Sequence, residues 1–139
     1  MKKLMIACVA VAMVLSLSCC KKLEPSAVRG EDAKNKVTVS GMVYFKWQGN
    51  NIPATTGATV VIAKKGAGDV YTDKWTATVD NSGHFTKVLP LTISEASVDL
   101  KATGYVDNNM GKYESGGVAF SIDKNKSKDN VEIICIEKN

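Results

Sequence analysis

The side chains able to do chemistry in this 139-residue chain are few. Cysteines stand at positions 8, 19, 20 and 135, and the adjacent pair Cys19-Cys20 directly follows an uncharged run. A thiolate there is a strong nucleophile. His84 is the only histidine, so it cannot build a multi-histidine metal site, and a Ser-His-Asp relay would have to use it as the base. No nucleophile-elbow pattern accompanies it. Asp123-Lys124-Asn125-Lys126-Ser127-Lys128-Asp129 places oxygen side chains at alternate positions, as a calcium loop does. It has Lys128 where such a loop needs glycine and Ile134 where it needs glutamate, and its lysines repel a cation. Asp107-Asn108-Asn109 is similarly short of ligands. The nine aromatic residues offer ring faces on which a sugar can stack. Trp47, which ends a strand, and Tyr105 and Tyr113, in or near loops, are the candidate ligand-binding residues. No catalytic residue and no metal ligand is assigned. A non-enzymatic protein is expected, because the short folded region leaves little room for a deep substrate cleft.

The elements that position these groups begin with residues 4–17 (LMIACVAVAMVLSL), an uncharged run behind Lys2 and Lys3. Crossing a bilayer takes about 20 apolar residues, and fourteen fall short. A basic head, an apolar run and small residues after it predict a secretory signal peptide. A buried core helix is disfavoured because the run has no polar face. The segment ends Leu17-Ser18-Cys19-Cys20, which resembles the lipobox of bacterial lipoproteins: Leu, two small residues and Cys. The resemblance implies a diacylglyceryl group on the Cys sulfur, cleavage just before that residue, and acylation of the new N-terminus with a palmitate-type chain. With Cys20 lipidated, Leu17 falls three residues upstream, where Leu is preferred, and Cys19 precedes the cut. Cys19 is the alternative register, with Ser16 in the place of Leu. Lys21, rather than Asp, after the modified residue resembles sorting to the outer membrane of a Gram-negative envelope.

Processing changes the arithmetic. Loss of residues 1–19 removes Lys2 and Lys3 and lowers the formal charge from +4 to +2, which leaves nucleic-acid binding without compositional support. Cys8 and Cys19 go with the signal, so Cys135 has no partner for an internal disulfide. Within Val131-Glu132-Ile133-Ile134-Cys135-Ile136 it reads as a small core hydrophobe.

The expected organisation is a signal peptide over 1–19, a lipidated N-terminus and flexible tether over 20–36, and one folded domain over 37–139. Residues 21–36 are polar and carry Pro25 and Gly30. As a coil they would span about 20 Å. From Lys36 the pattern turns to period two, with Val37, Val39, Gly41, Val43, Phe45 and Trp47 on one face, the mark of a half-buried strand. Further strands are expected at 58–64, 71–79, 84–89, 96–103, 117–122 and 130–137, separated by turn residues at Asn50-Asn51-Ile52-Pro53, 65–69, 80–83, 107–111 and 123–129. Seven short strands predict an all-β, two-sheet antiparallel sandwich with Greek-key connections.

Gly41-Met42-Val43, Gly57-Ala58-Thr59-Val60-Val61, Thr78-Val79-Asp80-Asn81-Ser82-Gly83-His84-Phe85 and Gly104-Tyr105 occur in that order. Over residues 37–105 the chain resembles carboxypeptidase-regulatory-like domains, and the resemblance implies a seven-stranded, prealbumin-like (transthyretin-related) sandwich. It departs from that pattern in a longer loop before Gly57 and in the Gly66–Asp73 excursion. An immunoglobulin-like sandwich is the alternative, without a Cys-Trp-Cys core arrangement. The expected protein is thus a membrane-anchored envelope lipoprotein whose sandwich is a non-catalytic binding or structural module. Its alternatives are a carbohydrate-binding accessory of a glycan-uptake system and a protein-interaction module of an envelope assembly. Expected partners are the membrane, through the lipid, and a glycan or envelope protein. The chain is expected to be a monomer with no cofactor beyond the covalent lipid.

Overall fold

A computed structural model describes residues 35–139. The expected signal peptide, both candidate lipidation residues Cys19 and Cys20, and the tether up to residue 34 lie outside the described residues.

Nine strands follow in order: β1 (Lys36–Trp47), β2 (Asn50–Pro53), β3 (Ala58–Lys65), β4 (Tyr71–Thr78), β5 (His84–Pro90), β6 (Ser97–Asn108), β7 (Gly111–Glu114), β8 (Val118–Asp123) and β9 (Ser127–Glu137). The fold is all-β and sandwich-like. In one sheet, β1 lies between β9 and two antiparallel neighbours: β5 along Lys36–Met42 and β2 along Tyr44–Trp47. In the other, β6 pairs with β3, and β3 with β4 at the edge. On its far side β6 pairs with β8 over Ser97–Ala102 and with β7 over Tyr105–Asn108. Tyr113 and Glu114 of β7 also pair with β9, joining the two sheets at one corner.

Period two in the sequence becomes alternating burial in the structure. Val37, Val39, Val43 and Phe45 of β1 point inward with Val131, Ile133 and Cys135 of β9, against Val60 and Ile62 of β3 and Leu100, Ala102 and Val106 of β6. Burying a Val, Leu, Ile or Phe side chain contributes about 1.5–3 kcal/mol, and this shared layer is what holds the sheets face to face. Phe85, the first inward residue after the β4–β5 turn, is buried within it.

That turn is organised by one carboxylate. Asp80 Oδ1 accepts hydrogen bonds from the Ser82 hydroxyl (2.6 Å), the Ser82 amide (2.8 Å) and the His84 amide (3.0 Å). The Ser82 hydroxyl, then the two amides, hold its pKa below the usual carboxylate value. Gly83 completes the turn at φ +86°, in the left-handed region that glycine tolerates.

The strand count and one pairing differ from expectation. There are nine strands among the described residues rather than seven, and β1 and β9 run parallel, not antiparallel. The two additional strands, β2 and β7, have four residues each and bury too few side chains to alternate visibly. Asn50-Asn51-Ile52-Pro53, expected as a turn, is β2 itself. The turn is Gln48-Gly49, with φ of +48° and +85°, the two positive values of a type I′ hairpin. Pro53, which has no N–H to donate, is tolerated because β2 is short and ends there. Strand direction leaves no trace in hydrophobic periodicity, so the parallel pairing was not legible.

Residues 91–96 cross from the first sheet to the second and are tied at both ends. The Leu91 amide donates to the Asn35 carbonyl (2.8 Å), while Glu95 pairs with Lys64 on β3. The other Glu95 oxygen accepts from the Thr92 amide and hydroxyl, both at 2.9 Å. Lys64 first, then the Thr92 amide, lower the Glu95 pKa. A depressed carboxylate contributes stability above its unfolded pKa, near 4.3, and loses it as the pH falls through the folded value. In urea titrations, Glu95→Gln is expected to be less stable than the parent by about 1 kcal/mol at pH 7. The difference should shrink steadily below about pH 4.

Candidate functional site

The candidate aromatics do not assemble into a platform. Tyr113 is buried, with 2% exposure, its ring 5.0 Å from that of Phe45. Its hydroxyl donates to the Met110 carbonyl at 3.3 Å. Tyr113 therefore presents no face to a ligand, because the pairing of β7 with β6 and β9 turns it into the core. Trp47 is half-buried and packs against the core at the end of β1. Tyr105 is exposed on the outer face of β6, opposite in parity to Gly104 and Val106. The two rings thus lie on different surfaces.

A different set of residues encloses space. A cleft of about 550 Å³ opens where the β2–β3 connection meets the β6–β7 turn. Phe45, Ile52 and Pro53 form one wall, Thr55, Thr56 and Gly57 the rim, and Asp107 to Met110 the opposite wall. Small-molecule pockets occupy about 300–1,000 Å³, and this volume falls within that range.

Local interactions hold both walls. Gly57 has φ +65°, and a Cβ there would come within 1.9 Å of the Asp107 carbonyl oxygen. The Asp107 amide donates back to the Gly57 carbonyl at 2.9 Å. Only glycine permits this approach of the two walls. Across the cleft, Asn108 Oδ1 accepts from the Met110 amide at 2.9 Å, closing an Asx turn. The Ala54 amide donates to the Val43 carbonyl at 2.9 Å and anchors the other wall to β1. Asp107 is the one ionisable side chain lining the cleft, and Lys112 stands 3.5 Å from it.

The remaining sequence candidates lie elsewhere. His84 is exposed at the start of β5. In the 123–129 segment, Asp123 ends β8, Asn125 has φ +61° in the turn, and Asp129 on β9 accepts from the Ser40 hydroxyl at 2.8 Å. Among the described residues, no three His, Cys, Asp or Glu side chains are gathered as metal ligands. Cys135 is fully buried, and burial raises its thiol pKa to about 11, with the charge of Glu114 adding to the effect. It is a core residue.

Comparison with known proteins adds little to this geometry. No protein-family model matches the chain. No curated protein matches it in sequence. Among solved structures, a DUF3823-family protein from Parabacteroides merdae is similar at 13% identity and a TM-score of 0.41, over 73% of this chain and 46% of that one. The chain thus spans less than half the length of that protein.

Two outcomes follow from the site geometry. Gly57→Ala should cost about 2 kcal/mol or more, since left-handed strain adds to a clash with backbone, read as a lower urea midpoint. Because the thiolate is the reactive form, iodoacetamide at pH 8 should leave Cys135 unlabelled in the native protein. It should label that residue once the protein is denatured, as read by peptide mapping.

Proposed function

We propose that the protein is an envelope lipoprotein, anchored through acylated Cys20, whose sandwich is a non-catalytic binding module. The observation that carries this reading is Leu17-Ser18-Cys19-Cys20 at the end of an uncharged run behind Lys2 and Lys3. A polar tether then separates that cysteine from the first residue of the sandwich. With two or more acyl chains, each buried CH₂ contributing about 0.8 kcal/mol, attachment is stable. Lys21 favours the outer membrane.

The two finer alternatives differ in what the sandwich touches. A preformed cleft with polar rims favours a small ligand over a docked chain. The edge strand β4 carries exposed Asp73 and Lys74, and charges on an edge oppose addition of a partner's strand.

Mass spectrometry of the N-terminal peptide from cells tests the anchor. The expected product begins at Cys20 with a diacylglyceryl thioether and an N-acyl chain, and Cys20→Ser should release the protein from membranes while Cys19→Ser does not. Unmodified Cys19 and Cys20 in the cell-derived protein would overturn the proposal.

A further inference from the structure

We infer that the cleft between the β2–β3 connection and the β6–β7 turn binds an uncharged, polyhydroxylated ligand, a short saccharide segment. The inference rests on the proposed function only in naming what the displayed module binds.

Three properties of the cleft select this chemistry. The first is the kind of polar group on offer. Thr55 and Thr56 bring hydroxyls that both donate and accept, and Asn109 brings an amide with two donors and an acceptor. Asn108 keeps its amide nitrogen as a donor, since only its oxygen is engaged by the Met110 amide. Vicinal hydroxyls, each both donor and acceptor, are complementary to such a mixed rim. A carboxylate or phosphate is not, because no lysine, arginine or histidine lines the space.

The second is charge. Asp107 is the single ionisable lining group, and the exposed Lys112 stands 3.5 Å from it. A cationic ligand would have to compete with that lysine, and an anionic one would meet the carboxylate. A neutral ligand meets neither penalty.

The third is the apolar surface. Met110, 51% exposed, and the half-buried Ile52 face the cleft beside the polar groups. A sugar ring has a C–H face as well as hydroxyls, and burying that face on Met110 and Ile52 adds a hydrophobic contribution of about 25 cal/mol per Å². No aromatic stacking platform is needed, which accounts for a site that rings alone do not reveal.

Preorganisation lowers what binding costs. The wall carrying the threonines is held by Gly57 against Asp107, and the wall carrying Asn109 by the Asx turn and by Tyr113 beneath Met110. Little backbone has to be ordered when a ligand arrives.

The test uses the full-length protein, purified in a non-glycosidic detergent and applied to an array of neutral and acidic oligosaccharides. Calorimetry follows with the neutral saccharide that gives the strongest signal. Binding of neutral saccharides is expected, weakened at least about ten-fold by Thr56→Ala combined with Asn109→Ala and unchanged by Tyr105→Ala on the outer face. Asn109→Asp, which keeps the side chain's size, should weaken binding as well and serves if the double variant fails to fold. A blank array, a preference for acidic saccharides, or neutral binding that survives in folded cleft variants would each overturn the inference. The N-terminal mass of the same preparation reports separately on the anchor, so failure of the lipoprotein reading and failure of the saccharide site are distinguishable.

Discussion

The two sheets share one core only because they can touch, and they approach closely at Gly104. A Cβ on this residue would lie 2.7 Å from Ile133 Cγ2 and 2.9 Å from Cys135 Sγ on the facing sheet. Any side chain there would push the sheets apart, and the layer of Val, Ile and Leu between them would lose its packing. At the same point β6 exchanges one neighbour for another, from β8 to β7. Ser115 fills the gap: its hydroxyl accepts the Gly104 amide at 2.8 Å and its own amide donates to the Gly104 carbonyl at 3.0 Å. Ser115 is the one buried polar residue among those described, and both bonds explain how it is accommodated. The close approach of the sheets therefore depends on a missing side chain at the point where β6 changes partner.

What the sequence made legible follows from burial. β1 alternates along its length, β3 does so up to Ile62 and β9 from Val131 to Cys135, because one face of each is in the core, and all three are readable from Val, Ile and Phe spacing. The Asp80-Asn81-Ser82-Gly83 turn was readable because its chemistry is local: one carboxylate, two amides and a glycine with positive φ. Where burial is partial the signal fades. The two four-residue strands have no period to read, and Gln48-Gly49 carries a weak turn signal because glutamine seldom occupies the left-handed region. Tyr113 misled for a related reason. It sits near a glycine-rich turn in the sequence, yet pairing with strands from both sheets carries it inward.

The cleft was invisible for a different reason. Its walls lie some fifty positions apart along the chain, and pairing of β3 with β6, which sets Ala58 opposite Val106, brings them together. As a cation loop, Asp107-Asn108-Asn109 lacks ligands. Beside Thr55 and Thr56, Asn108 and Asn109 supply the amide half of a polar lining. Each wall alone is a short polar segment of the sequence.

The parallel pairing of β1 with β9 has a consequence for how the molecule comes into being. The first strand of the domain acquires one of its neighbours only when the last eleven-residue strand is available. Until then β1 has partners along one edge, β7 lacks its second neighbour, and the inward face of the first sheet is incomplete. Contacts of such long sequence separation form late and slowly. Closure of the two sheets over one core therefore waits on a contact between the first and the last strand of the described residues, separated by the whole of the sandwich.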